Sequence, residues 1–479
     1  MSKQNNHLLE YADVRQPRKS SLLALPWAFW LINIVYALDG FAYFGILIRL
    51  GNNFTNDLHI ATKYATVMTG AFAAAVTLFM FGFGSYSERF GVRNSLIGAF
   101  FILTAGRFML CLAPFMPGHA ATVLMALASL TVMAIGEGVV QTANYSGIKQ
   151  FSTEETSAAA FAWNYGLFQV GIMVVGLVSP MVRVPVENLM AIRTATQPLP
   201  PTFWGWLADL TRSGNVAVFV MCTAVTGLTT LLCIATFTKK AEARKLRPDD
   251  EAVIAQSRHE ESHLSLFERI RTGPFGDARF TFFVFMLLPA RTLFAHQIHT
   301  ISLYIERAYP KSVQDWNETF SNFGNPLVVF IGAPIVAMLT RRTNMLRLML
   351  VGSLVTALPT FLLCFGERVQ FLILYIVLFS IGEAIWQPRF YQFAADLAPP
   401  GKMGSYMAAA NIPWLLAKFT TGLYAGWMLD RFCPAEGPRR TDILWGIYGA
   451  IALISPIGLW LARNWLRAGL KIRHEPIAA

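Results

Sequence analysis

The stretch Ile135-Gly136-Glu137-Gly138-Val139-Val140-Gln141-Thr142-Ala143-Asn144-Tyr145 has a partner later in the chain, Ile381-Gly382-Glu383-Ala384-Ile385-Trp386-Gln387-Pro388-Arg389-Phe390-Tyr391. Ile, Gly, Glu, Gln and Tyr recur with every member displaced by 246 positions. Gly and Ile are common in apolar helices, but Glu and Gln are not. Five identities at one offset are therefore what a duplicated bundle leaves behind. Residues at i, i+4 and i+8 drift slowly round a helix, so Glu, Gln and Tyr line one face in each copy. Two such faces meeting across a pseudo-twofold axis predict a central polar cavity.

The surroundings are those of a membrane protein. The 479-residue chain is 54% hydrophobic and 14% charged, where a soluble protein carries nearer a quarter of charged residues. Apolar stretches long enough to cross about 30 Å of hydrocarbon lie near 25–49, 64–87, 94–113, 120–146, 157–182, 215–238, 279–305, 320–340, 345–365, 369–395, 404–429 and 442–465. This predicts an all-α membrane protein with twelve transmembrane helices in two pseudo-symmetric six-helix bundles. The bundles span 25–238 and 279–465, joined by a charged linker over 239–278 and flanked by tails over 1–24 and 466–479. A second insertion, 183–214, with Pro198, Pro200, Pro201, Trp204 and Trp206, reads as an irregular external loop with an interfacial anchor.

Counting Lys and Arg over alternate loops gives about 24 on the side of both termini and about 11 on the other, which places the termini in the cytoplasm. The net charge of +11 is then explained by loops facing anionic lipid; nucleic acid is not expected, since no clustered basic face or binding module appears. The first apolar run is of full spanning length, so no removable signal peptide is expected. Four of the five cysteines lie in apolar segments, so neither a disulfide framework nor a zinc cluster is implied.

An ionisable group at mid-membrane costs several kcal/mol unless paired or hydrated, so such groups mark function. Asp39, Glu137, Arg291, His296, Glu383 and Lys418 fall near the middle of their spans, with Arg107 and Arg389 closer to the ends. A carboxylate that alternates between dry and wet or cation-paired settings takes up and releases a proton. Proton coupling is therefore assigned to Asp39, Glu137, Glu383 and His296; the alternative for each acid is a static helix-to-helix ion pair. His296 and His299 share a face with Arg291, fitting a proton relay, an anion contact or a structural pair, and they are too few to hold a metal. Aromatics (Tyr43, Tyr145, Tyr165, Trp386, Tyr391, Trp414) and neutral polar groups (Gln141, Asn164, Gln387, Asn411) read as pocket walls for a solute with an apolar part and a charged end, with Arg291, His299, Arg389 and Lys418 as further contacts.

The segment Gly84, Glu88, Arg89, Gly91, Arg93 resembles the cytoplasmic signature Gly-x-x-x-Asp-Arg-x-Gly-x-Arg of the major facilitator superfamily, with Glu for Asp. The resemblance covers nearly the whole chain and implies the major facilitator fold, with this loop holding the two bundles together on the inside. The nearest look is to the proton-coupled oligopeptide transporters: Tyr36, Asp39-Gly40-Phe41-Ala42-Tyr43-Phe44-Gly45 keeps the aromatic-glycine end of that family's first-span motif and loses two of its three charges. Glu383, followed by Gln387-Pro388 and Leu397-Ala398-Pro399, stands where that family's peptide-amine-binding glutamate is implied to sit. Gln141 stands near an expected lysine, and His296-Gln297 replaces Glu-Gln.

Two motifs are set aside. His259-Glu260-Glu261-Ser262-His263 has the zinc-protease spacing but lies in a short solvated linker with no third ligand. Asn53-Phe54-Thr55 and Asn317-Glu318-Thr319 are glycosylation sequons expected on the outside, of a kind that arises often by chance. No phosphate-cradling loop is present, which argues against ATP-driven transport. The expected function is a proton-coupled secondary transporter, symport favoured, with proton-driven efflux of amphipathic compounds as the alternative and a non-transporting sensor or enzyme as a remote one. It is expected to need no cofactor beyond the proton gradient, to act as a monomer on a small molecule, and to reside in a bacterial inner or plasma membrane.

Overall fold

A computed structural model describes residues 24–83, 90–153, 156–193, 199–244, 274–340, 343–397 and 403–466. The described elements are helical, as they must be where no water is present to satisfy an open backbone. In the first half run α1 (Trp27–Asn52), α2 (Thr62–Gly82), α3 (Val92–Leu112), α4 (His119–Gln150), α5 (Ser157–Ile192) and α6 (Gly214–Thr236). In the second half, the seventh span is divided into Ala278–Met286, α7 (Leu288–His299) and Ile301–Ala308. Then follow α8 (Asn325–Leu339), α9 (Met345–Ala357), α10 (Val369–Leu397), α11 (Met403–Phe432) and α12 (Thr441–Leu461).

Eleven of the twelve expected spans are long and apolar enough to cross a membrane among the described residues. The remaining one, α11, has 30 residues and is made less apolar by Lys418, Asp430 and Arg431. Punctuation is local: Gly91 and Gly118, at φ 78° and 82°, open α3 and α4, a backbone that only glycine adopts freely. Pro359, lacking an N–H, begins the 3-10 stretch Leu358–Phe365 that extends α9.

Each half has its own apolar core. One is built from residues between Leu25 and Phe237, and two more lie between Phe280 and Leu466. The repeated Gly-Glu pair has a packing role in both. A Cβ on Gly136 would stand 2.7 Å from Leu103 Cγ and 3.2 Å from the Ala99 carbonyl, and one on Gly382 would stand 2.5 Å from the Thr356 nitrogen. The missing side chains let α4 seat on α3 and α10 on α9.

The halves meet along two seams. Gly70 of α2 and Gly422 of α11 touch backbone to backbone, a Cβ on either lying within 2.9 Å of the other's Cα. Thr319 Oγ1 donates to the Gly176 carbonyl at 2.7 Å, joining α5 to the head of the eighth span.

The insertion expected as an irregular loop differs. α5 continues to Ile192, and Phe203–Thr211 forms a helix whose N-cap, Thr202, accepts from the Gly205 N–H at 3.2 Å. Val186, Leu207, Ala208 and Ala217 form a small core beneath it, so an apolar face decided the outcome over the prolines. Trp206 is exposed while Trp204 packs on that core. The sequons are also buried: Asn53 Nδ2 donates to Asp57 at 2.8 Å and Asn317 Nδ2 to the Ser302 carbonyl at 3.0 Å, so neither amide is open to a glycan. Most of the linker with its His259–His263 motif lies outside the described residues.

Candidate functional site

The first bundle carries a sealed charge cluster. Arg107 of α3 donates through Nη2 to Asp39 Oδ1 of α1 at 3.0 Å and to Glu137 Oε1 of α4 at 2.6 Å. Its Nη1 donates to Thr226 Oγ1 of α6. All three charged side chains are fully buried. Two carboxyls thus share one guanidinium, and the second oxygens of both have no described donor. Arg107, which the sequence places toward a span end, is the partner that organises both acids. The face expected to line the cavity is correspondingly split: Glu137 turns into the bundle, Gln141 accepts from Tyr36 Oη at 2.7 Å, and Tyr145 is exposed. Tyr43 is buried beside the acids against Phe72.

Around this cluster runs an amide clamp. Asn144 of α4 and Asn164 of α5 exchange hydrogen bonds at 2.9 and 3.1 Å, and Asn164 Nδ2 also reaches Asn33 Oδ1 of α1 at 3.1 Å. Asn164 therefore ties three helices together rather than projecting into a pocket.

In the second bundle, Asn325 Nδ2 donates to Glu383 Oε2 at 2.8 Å and to Ser380 Oγ at 2.9 Å. The Arg291 guanidinium lies 4.2 Å from the Phe390 ring centre, 5.8 Å from that of Trp386 and 5.9 Å from that of Trp414. Lys418 Nζ lies 5.1 Å from the Trp414 ring centre. Trp386 is core rather than cavity wall, at 1% exposure. Arg389 Nη2 donates to Thr340 Oγ1 at 3.3 Å, Gln387 is half-buried, and the Tyr391 side chain lies outside what is described.

The histidines differ from one another. His296 is buried with Nδ1 2.7 Å from Thr300 Oγ1, Nε2 3.1 Å from Tyr424 Oη and its ring stacked on Tyr448 at 3.7 Å. Both nitrogens are occupied, as in a packing histidine. His299 places Nε2 3.1 Å from the Lys418 carbonyl.

Calling the side of Trp27 the termini face, the opposite face holds a lock that the sequence did not reveal. Glu318, ahead of α8, is gripped by Arg183 of α5 through Nε at 2.6 Å and Nη2 at 2.9 Å. Arg49 of α1 stands 3.6 Å from Glu318 and 2.7 Å from Glu306. Burial alone would push the Glu318 carboxyl up, but the charges of Arg49 and Arg183 outweigh it and hold it below its ordinary value. Lys311–Glu187 at 3.1 Å and Arg307–Thr62 at 2.6 Å add further ties between the halves. The lone signal available was opposite charge at span ends, and no spacing links residues so far apart.

On the termini face, Gly84, Glu88 and Arg89 lie outside the described residues. The Arg93 backbone N–H donates to Glu242 Oε1 at 3.1 Å and its Nε to the Phe237 carbonyl. A Cβ on Gly91 would meet the same Glu242 oxygen at 2.6 Å. These partners are at the foot of α6 and just beyond it, so Arg93 secures the first bundle's own end, where a tie to the second bundle was expected.

The family model described as Major Facilitator Superfamily matches residues 29–184 and 188–417. No curated protein matches the chain. Among solved structures it is similar to peptide transporter POT in complex with sulfate, with TM-score 0.69 at 14% identity over 94% of this chain and 97% of that one. A POT family transporter in complex with 5-aminolevulinic acid gives 0.66 at 14% over 94% and 98%. A D-xylose-proton symporter gives 0.63 at 15% over 90% and 96%. At such identities the likeness is one of fold.

Proposed function

The chain belongs to the Major Facilitator Superfamily, a family of membrane transporters and not of enzymes, and on that footing we propose that it is a proton-coupled symporter working by alternating access. The observation that carries this reading is the pairing of Asp39 and Glu137 on the one guanidinium of Arg107. With both acids ionised the sealed cluster holds one uncompensated negative charge, which a dry bilayer interior penalises. A proton on either carboxyl removes that charge. When the bundles rock and water reaches the cluster, the ionised form is again supported and the proton leaves.

The lock at Glu318 fits one end of that cycle. With both termini in the cytoplasm, Arg183, Arg49 and Glu318 close the external side, and opening there requires the ties to part. The names of the similar solved structures, peptide transporters and a D-xylose-proton symporter, support a small organic solute. We place the protein as a monomer in a plasma membrane, the bacterial inner membrane in a bacterium, with the proton gradient as its energy source.

The test is purified protein in liposomes with an imposed pH gradient and a panel of peptides, nucleosides, sugars, siderophores and drugs. Wild-type protein should accumulate a solute only while the gradient lasts. Asp39→Asn and Glu137→Gln should abolish accumulation while leaving exchange of the same solute. Intact gradient-driven flux in both variants would remove the coupling assignment, and gradient-driven expulsion would replace symport by efflux.

A further inference from the structure

Lys418 stands where α11 meets both α7 and the other bundle. Its carbonyl lies 3.1 Å from His299 Nε2 of α7 and 3.1 Å from where a Cβ on Gly70 of α2 would be. Its ammonium rests toward the ring of Trp414, one turn earlier. Phe294 and Arg291 of α7 approach the same ring at 6.0 and 5.9 Å.

The acids that would balance this ammonium are elsewhere. α2 carries no acid, and the seventh span has none before Glu306, which Arg49 and Asn56 engage. α11 has only Asp430, paired to Arg307 at 3.2 Å, and α12 only Asp442, paired to Arg440. On α10, Glu383 is bonded by Asn325 of α8, and the side chain of Asp396, near that helix's end, lies outside what is described. Among the described residues no carboxylate forms an ion pair with Lys418. An ammonium at this depth without a counter-charge is expensive, and an aromatic face offsets only part of that.

Resting on the transport reading above, we infer that Lys418 receives the anionic end of the transported solute, whose class is an organic anion with a flat apolar body lying along Trp414. The ammonium is then balanced when the carrier is loaded. An anion crossing alone would carry its charge through the membrane potential; with a proton held at Asp39 and Glu137 it crosses as a neutral pair.

The experiment uses the full chain and matched probes: benzoate with benzamide, indole-3-acetate with indole-3-acetamide, and an N-acetyl dipeptide with its C-terminal amide. Equilibrium binding and liposome uptake are both read. The wild type should favour at least one carboxylate over its amide by about tenfold or more. Lys418→Gln should erase that preference through KM with kcat little changed, and Lys418→Arg should keep part of it, which also shows that the position tolerates change without unfolding.

Equal handling of carboxylate and amide, no binding of any carboxylate, or a preference surviving Lys418→Gln would each overturn the inference. The two readings fail separately. Lys418-dependent carboxylate binding without gradient-driven accumulation would overturn proton coupling and leave the anion site standing. Gradient-driven accumulation of acids and amides alike would do the reverse.

Discussion

Arg183 of the first bundle holds Glu318 of the second by two parallel hydrogen bonds, Nε to Oε1 at 2.6 Å and Nη2 to Oε2 at 2.9 Å. This fork-to-carboxylate geometry is the strongest form an ion pair takes. Both groups are almost wholly buried. Truncating Arg183 leaves the buried Glu318 carboxylate only Arg49, 3.6 Å away, to balance it, at a cost of up to about 3–5 kcal/mol. Arg183→Ala should therefore shift the population away from the state closed on this face. Spin labels placed across that face on the two bundles should report a longer distance than in wild type, and an unchanged distribution would show that the remaining ties, Arg49–Glu306, Lys311–Glu187 and Arg307–Thr62, keep it shut without Arg183.

The same pair sets a pH dependence with a definite sign. The Glu318 carboxyl is held below its ordinary value in the closed state. A depressed carboxyl contributes stability that is present above the open-state value and is lost only as pH falls through the closed-state one. The closed population should stay flat between about pH 5 and 8 and fall only in stronger acid. Glu318→Gln should remove the acid-dependent fall. A wild-type transition near neutrality would mean that another group governs this face.

Reading residues in order reaches some of this architecture and misses the rest for a physical reason. The Glu137 and Glu383 repeat is visible because duplication preserves an offset, and apolar runs are visible because the bilayer imposes a length. Asp39 and Glu137 stand out because charge in hydrocarbon is rare. Their shared dependence on Arg107 is not visible, since it arises from how α1, α3 and α4 pack. Glu318 looked like part of a sequon, and Arg183 like the edge of a loop. Only the approach of α5 to the eighth span turns them into a pair. His296 and Trp386 show the converse: rare or large residues in a membrane helix, drawing attention by type, yet engaged in packing.

Arg107 supplies a second thermodynamic test. Arg107→Met leaves Asp39 and Glu137 buried together without a base, and should cost about 3–5 kcal/mol. Adding Glu137→Gln removes one of the two acids, so the double variant should recover part of that loss. Reversible unfolding of the four proteins in detergent gives the coupling. Simple additivity would mean that water reaches the cluster and that the acids do not depend on the guanidinium.

The repeated glycines allow a test that leaves charge untouched. Gly136 and Gly382 occupy equivalent places in the repeat, and a methyl on either would intrude on α3 or α9. Interhelical contacts this close are where small residues are required in a membrane. Gly382→Ala should destabilise by about 1–3 kcal/mol through overpacking, and Gly136→Ala, which meets side-chain atoms of Leu103 before backbone, should fall toward the lower end. Gly98→Ala, with nothing within 4 Å of its added carbon, is the internal control and should be neutral or slightly stabilising, since alanine favours helix. Thermal midpoints of the three variants decide the matter: a Gly382→Ala protein as stable as Gly98→Ala would mean that α9 and α10 can part without cost, and that the glycine of the repeat marks ancestry alone.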